Sequence, residues 1–153
     1  MSITTDIADA VTAELNSAPG GTFSQAFTAQ RRVLPVYELE QLAELRVTVV
    51  PKAVAITGST RAASQYEFTI DIGVQRKLLT GAGDADTEVD TLGSLVDQIA
   101  AYLRQRPLTG APWVSWVSMT NDPVYAPEHL HEQRVFTSVL SVTYRALGQE
   151  ATP

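Results

Sequence analysis

Hydrophobic residues recur along the chain with two different periods, and these periods predict the main helices and strands. Every fourth residue from Ile3 to Leu15 is a large apolar residue, which is typical of one face of an amphipathic helix. Turn-forming residues at positions 16–21 (NSAPGG) predict the end of this helix. A second helix is predicted over about 88–104, where apolar spacings of three and four alternate and Thr87 is placed to cap the first turn.

Strict alternation of apolar and polar residues predicts the clearest strand, over residues 66–75. Its even-numbered residues are apolar, and its odd-numbered residues are polar or glycine. Further strands are predicted from their aromatic and β-branched content over residues 22–34, 46–50, 113–120 and 133–147. We expect Pro51 to end the strand before it, and residues 52–64 to form a hairpin arm or a loop.

The order of these elements, α-β-β-β-α-β-β, predicts an α+β fold. We expect a two-layer sandwich in which a mainly antiparallel sheet of about five strands is packed by two helices. Two pairs of successive strands favour antiparallel pairing, namely 46–50 with 66–75 and 113–120 with 133–147. Too few helices separate the strands for a doubly wound parallel fold.

Composition narrows the class of protein. The chain has 153 residues, of which 44% are hydrophobic and 18% charged, and this balance is typical of a globular domain. We predict one domain over residues 1–148 and a flexible tail over 149–153. The absence of cysteine excludes disulfides and thiolate catalysis, and a net charge of −6 argues against general binding to nucleic-acid phosphates. We expect neither a leader peptide nor a membrane-spanning segment.

The two histidines are the most suggestive chemistry in the sequence. His129 and His131 stand two residues apart, so in a strand they would point to the same face and could share a metal ion. A third ligand would have to come from Asp122, Glu128 or Glu132. A polar surface turn is the favoured interpretation, because turn-forming residues surround both histidines. We therefore predict no catalytic residue, metal or cofactor, and a small metal-dependent enzyme stays as an alternative.

Element order and local motifs resemble the small tail terminator and tail-completion proteins of long-tailed bacteriophages. An amphipathic helix runs into a phenylalanine-rich strand over 22–33, and the short strand 46–51 ends at a proline. Arg61 then precedes the strand YEFTIDIGVQ (66–75), the helix VDTLGSLVDQI (89–99) follows, and two strands close the chain. The resemblance covers nearly the whole chain.

This resemblance implies a structural protein of the virion tail or neck, without enzymatic activity, made in the host bacterial cytoplasm. Members of the family form a hexameric ring at the head-proximal end of the tail tube, where they stop tube polymerisation and provide the surface that joins the neck and head. The implied partners are other copies of the chain, the tail tube protein and a neck or head-completion protein, with no membrane. DNA would pass through the lumen without specific binding. A neck or head-completion adaptor is the structural alternative.

Loops and sheet edges are expected to make the contacts of such a ring, because an open edge strand is a template for pairing. Segments 52–64 and 76–87 are the candidates for these contacts. Trp113 and Trp116 would lie on opposite faces of a strand, with one in the core and the other exposed or at an interface, or with both in the core if the sheet is covered on each side. The interface candidates are Lys52, Arg61, Arg76, Lys77, Trp113 and Trp116. A ligand-binding module is a third class, but no sequence feature favours it.

Overall fold

Two long helices pack on a five-stranded sheet, which confirms the predicted α+β fold. The structure is a computed structural model, and it describes residues 2–34, 37–58, 64–78 and 85–147. Its helices and strands, in chain order, are α1 (Ile3–Asn16), β1 (Ala29–Arg31), β2 (Arg46–Gly58), β3 (Ser64–Lys77), α2 (Ala85–Leu103), β4 (Ser115–Asn121) and β5 (Val135–Leu147). A 3₁₀ turn (Leu39–Ala43) precedes β2, and a π-helical turn (His129–Gln133) precedes β5. The tail predicted over 149–153 lies outside the described residues.

The strands are arranged in the order β1-β2-β3-β5-β4, so β3 is central and β1 and β4 form the two edges. β2 pairs with β3, and β4 with β5, in the antiparallel sense that the sequence predicts. β3 also pairs antiparallel with β5, whereas β1 runs parallel to β2 over three residues. The sheet is therefore mixed, with a single parallel pair at one edge.

The period of two in β3 determines which face of the sheet is buried. Its even-numbered residues from Phe68 to Val74 are at most 1% exposed, because they point toward the layer of the helices. The apolar seams of both helices reach the same core, with Ile7 and Val11 of α1 and Leu95 of α2 fully buried. One continuous core thus joins the sheet to both helices.

The ends of the helices differ in part from the prediction. The hydroxyl of Ser2 accepts a hydrogen bond from the backbone N–H of Thr5 and so caps α1. Helix α2 begins at Ala85, whereas a cap at Thr87 requires a helix that begins at residue 88, so the predicted cap is wrong. In the described part of the chain, no helix is long and apolar enough to cross a membrane.

The strand predicted over 22–34 is wrong for most of its length, because only Ala29–Arg31 pairs with the sheet. The aromatic residues that suggested a strand instead pack beside the helices. The ring of Phe23 lies 5.0 Å from that of Phe27 and 5.5 Å from that of Tyr102 on α2. Phe23 and Phe27 therefore cover part of the core with their side chains and do not belong to a paired strand.

Pro51 does not end β2, which continues to Gly58. The register of β2 against β3 shifts between Pro51 and Ala53, so Pro51 adjoins a β-bulge. Proline is tolerated at such a position on a sheet edge, since its missing N–H deprives no neighbouring strand of a donor. Of the two forms expected for residues 52–64, the hairpin arm is the correct one for 52–58, while 59–63 lie outside the described residues.

Candidate interaction surface

The second half of β2 and the first half of β3 form an arm that projects past the helices. We define this arm as residues 52–58 and 64–68, in which residues 54–58 pair with residues 64–68 in one antiparallel register. Every residue of β2 from Lys52 to Gly58 is exposed, whereas Val47 and Val49 in the first half of the strand are at most 1% exposed. Two antiparallel strands without a covering layer are marginally stable in water, so this arm is suited to being covered by another molecule.

One face of the arm continues the apolar face of the core. Val54 lies opposite Phe68 and Ile56 lies opposite Tyr66, and residues opposite each other in a ladder share a face. Val54 is 45% exposed and Ile56 is 58% exposed. The ring of Tyr66 stacks at 6.1 Å on that of Phe68, which links the arm to the core. The arm therefore presents an aliphatic and aromatic strip to solvent.

The outer edge of the arm is open. β1 pairs with β2 only from Val47 to Val49, and within the described ranges no other strand lies beside residues 52–58 on that side. The strand β4 is open in the same way at the far edge of the sheet. Each strand with an open edge contains a register shift typical of a β-bulge, between Pro51 and Ala53 in β2 and between Trp116 and Ser118 in β4. Bulges and edge prolines restrict uncontrolled edge pairing, which leaves selective pairing available.

The opposite face of the sheet is polar, and two of its carboxylates are paired within the chain. The guanidinium of Arg145 lies 2.7 Å from the carboxylate of Glu67, which faces it across β3 and β5. Asp71 accepts a hydrogen bond from the hydroxyl of Ser141 and lies 3.8 Å from the ammonium of Lys52. The negative charges of Glu67 and Asp71 are thus balanced by Arg145 and Lys52.

The structure separates the four predicted basic interface residues. Lys52 lies at the start of the arm, is 57% exposed and is paired with Asp71. Arg61 lies outside the described residues. Arg76 and Lys77 belong to β3 and not to a loop, so the predicted loop over 76–87 is wrong at its start; it is also wrong at its end, since α2 begins at Ala85. Arg76 is half-buried and donates to the side-chain amide oxygen of Gln25 at 3.1 Å.

The two tryptophans do not lie on opposite faces of one strand. Trp113 precedes β4, which begins at Ser115, and both Trp113 and Trp116 are partly buried against the core. Trp116 lies opposite Tyr144 and so faces the helices. The alternation prediction is wrong because the strand starts two residues after the first tryptophan.

Sequence reasoning did not identify a buried polar group, the phenol of Tyr144, which lies opposite Trp116 in the sheet. The phenol of Tyr144 is fully buried, and neither its hydroxyl nor the indole N–H of Trp116 has a hydrogen-bond partner among the described residues. Burial, and secondarily the negative charge of Glu14, raises the pKa of Tyr144 well above its ordinary value. The carboxylate of Glu14 accepts a hydrogen bond from the backbone N–H of Thr109 at 3.0 Å.

The histidine pair lies in a π-helical turn and not in a strand, so the shared face on which a metal site depends is not formed. The Nδ1 of His129 lies 2.8 Å from the hydroxyl of Thr137, which ties this turn to β5. His131 is exposed. Across the described ranges, no three residues among histidine, aspartate and glutamate are placed to hold a metal ion.

Sequence reasoning gave segment 52–64 as a contact candidate but did not include its apolar residues Val54 and Ile56 among the interface candidates. A signal was present, because apolar and small or polar residues alternate from Lys52 to Thr57 (KAVAIT) and continue the period of two beyond Pro51. The expectation that proline ends a strand concealed this signal. The sequence matches no protein-family model, and no curated protein matches it either.

Proposed function

We propose that this chain is a tail terminator of a long-tailed bacteriophage, a structural subunit that forms a ring at the head-proximal end of the tail tube. The observation that supports this most directly is the projecting arm, with its open edge and its exposed Val54 and Ile56. A surface of this kind is suited to binding other protein subunits, not to holding a small substrate. The order of elements along the chain, which resembles that of tail terminators, is the second support.

The two open edges suit a ring because they face opposite sides of the sheet, that of β2 in the arm and that of β4. A contact that joins one end of a subunit to the other end of its neighbour is heterologous, and such contacts close into a ring when the rotation between subunits allows it. Strand pairing along the arm would supply directional backbone hydrogen bonds, and the Val54 and Ile56 strip would supply apolar burial. The ring is expected to be hexameric, as the resemblance implies.

Termination requires two unlike faces on the ring. One face must bind the last ring of the tail tube as another tube ring would. The other face must bind a neck or head-completion protein and must not bind further tube subunits. The two faces of the sheet differ in this way: the face with Val54 and Ile56 is apolar and exposed in the arm, whereas the opposite face carries internally paired charges such as Glu67 with Arg145. A net charge of −6 is consistent with a lumen through which DNA slides without binding.

The test is negative-stain imaging of the purified chain over a concentration series, together with native mass spectrometry. We expect rings of six subunits with a central hole, which become more abundant as concentration rises. The variant Ile56→Asp should abolish the rings, whereas Thr57→Asp, on the opposite face of the same arm, serves as the matched control. A wild-type chain that stays monomeric throughout the series, or rings that are unaffected by Ile56→Asp, would count against the proposal.

A binding assay then separates a terminator from an adaptor within the virion. A terminator should shorten tail tubes when it is added during their polymerisation, and it should sediment with tubes that are already assembled. A chain that forms rings but neither shortens nor sediments with tubes is not a terminator.

A further inference from the structure

A small groove lies between α2 and the turn that follows β4, away from the arm. It has a volume of about 330 Å³, and its apolar lining includes Val89, Val124, Tyr125 and Phe136. Val124 is 56% exposed and Tyr125 is 44% exposed, although Phe136 beneath them is fully buried. The α2 side of the groove is open at Gly93, since a Cβ placed there would meet nothing within 4 Å. The groove is of a size to accept one or two apolar side chains.

The rim of this groove is acidic. Asp90 and Asp97 stand on either side of Gly93 along α2, line the groove and are exposed. Among the described residues, neither aspartate forms an ion pair. A complementary ligand would therefore combine an apolar side chain with a positive charge.

The chain itself contains such a segment, at residues 32–34 (RVL). Val33 is 78% exposed and Leu34 is 62% exposed, more than any other large apolar residue that the structure describes. Next to them, the guanidinium of Arg32 lies 4.6 Å from the centre of the Tyr37 ring and forms no ion pair among the described residues. Exposed apolar side chains beside an unpaired cation are the complement of an apolar groove with an unpaired acidic rim.

The segment and the groove lie at opposite ends of the sheet. Residues 32–34 follow β1, the first strand in the sheet order, and the turn with Val124 and Tyr125 follows β4, the last. Because three strands separate β1 from β4, residues 32–34 of one copy are far better placed to reach the groove of a second copy than the groove of their own chain. We propose that the groove of one copy binds residues 32–34 of a second copy, with Leu34 among the apolar residues and Arg32 beside Asp90 and Asp97.

This contact is heterologous, because each copy offers a segment at one end and a groove at the other. As a contact between subunits of the proposed ring, it rests on the proposed function. The segment and the groove are nevertheless surfaces separate from the arm. Full burial of a leucine side chain corresponds to about a tenfold gain in affinity or more. The charges on the rim contribute less to the affinity, and salt weakens their contribution.

The first test is complementation between two defective variants. Val33→Asp with Leu34→Asp blocks the segment and leaves the groove intact, whereas Asp97→Lys with Val124→Lys blocks the groove and leaves the segment intact. Each variant alone should fail to form this contact, but a mixture should give heterodimers through one intact segment and one intact groove. Ala101→Lys, on an exposed part of α2 that does not line the groove, is the control and should assemble like the wild type. Circular dichroism confirms that each variant is folded.

The second test detects the contact even when it is weak. The chain contains no cysteine, so single cysteines can be introduced without competing thiols. Under mild oxidation, a Leu34→Cys chain mixed with a Gly93→Cys chain should give disulfide-linked heterodimers, because a disulfide forms only when the two Cα atoms come within about 7 Å. Leu34→Cys mixed with Ala101→Cys is the matched control and should give at least tenfold less.

The outcomes separate this contact from the proposed function. Rings that persist in both blocked variants, or cross-linking no greater than in the control mixture, overturn the contact between segment and groove. Rings in the wild type would still support the terminator proposal in that case. Cross-linking at Gly93 together with open filaments instead of rings would support the contact and contradict the terminator.

Discussion

Val54 and Phe68 lie opposite each other on neighbouring strands and share one face of the sheet, yet Val54 is 45% exposed and Phe68 is 1% exposed. Phe68 belongs to the buried core cluster and Val54 does not, so the layer that covers the sheet at Phe68 ends before it reaches Val54. The apolar face of the sheet is therefore longer than the layer that buries it.

Substitution of Phe68 should affect the stability of the fold, whereas substitution of Val54 should affect the assembly of subunits. Phe68→Ala should lower the free energy of unfolding by about 3–5 kcal/mol, since it leaves a cavity in the core. Val54→Asp should change this free energy by only about 0.5 kcal/mol, because the side chain is already half in water, but it should abolish ring formation. Urea unfolding measures the first effect, and native mass spectrometry measures the second. A large loss of stability in Val54→Asp would show that the arm belongs to the fold of the monomer.

The buried phenol of Tyr144 should make the protein sensitive to alkali. Its pKa is raised in the folded state, whereas in the unfolded chain it is about 10. Above about pH 10 the unfolded state releases a proton that the folded state keeps, so the free energy of unfolding should fall by about 1.4 kcal/mol per pH unit. Below that pH this contribution is fully present.

Tyr144→Phe tests this origin of the alkaline sensitivity. Near neutral pH the variant should be as stable as the wild type within about 1 kcal/mol, because no described residue hydrogen-bonds to the lost hydroxyl. Above about pH 10 it should be the more stable of the two. Urea unfolding at several pH values measures both effects. Identical alkaline loss in the two proteins would mean that other groups are responsible.

The histidine turn should be structural and free of metal. His129 reaches the hydroxyl of Thr137 at 2.8 Å, so His129→Ala should cost about 1 kcal/mol of stability through the loss of one hydrogen bond. His131→Ala, at an exposed position in the same turn, is the control and should cost less. Elemental analysis of the purified wild type should find no stoichiometric zinc, manganese or iron. A bound metal that both substitutions remove would restore the enzyme alternative.

Local patterns predicted the elements whose burial is one-sided. The alternation in β3 and the four-residue period of α1 were confirmed because each follows from burial of a single face. The strand predicted over 22–34 was wrong outside Ala29–Arg31, since Phe23 packs on a distant residue, Tyr102, and no local pattern reports that contact.

The candidate surfaces were harder to predict, because they depend on the order of strands in the sheet. Pro51 reads as a strand end in the sequence, but it is tolerated because β2 has an open edge at that point, and an open edge is a property of the whole sheet. Likewise, Val33 and Tyr125 are ordinary apolar residues in the sequence. Their significance comes from lying beyond the two opposite edge strands.

Asn16 should control whether β1 stays attached to the sheet. Its side-chain amide donates to the backbone oxygen of Ala29 at 3.0 Å, and its side-chain oxygen accepts from the backbone N–H of Ala29 at 2.8 Å. The side chain thus occupies the place of a neighbouring strand on the side of β1 away from β2. Because Ala29 is 3% exposed, these backbone groups have little access to water once the amide is removed.

Asn16→Ala should therefore lower the free energy of unfolding by about 1–3 kcal/mol, since it leaves backbone groups of Ala29 unsatisfied. Asn16→Asp keeps the acceptor but loses the donor, so its effect should be intermediate. Ser17→Ala removes a side-chain hydrogen bond to Ala13 at the exposed end of the same helix and is the matched control. In hydrogen exchange, Asn16→Ala should increase the rate at residues 29–32 more than in the rest of the sheet. Since β1 leads directly into residues 32–34, the same variant should also weaken the proposed contact with a second copy, whereas Ser17→Ala should leave it intact.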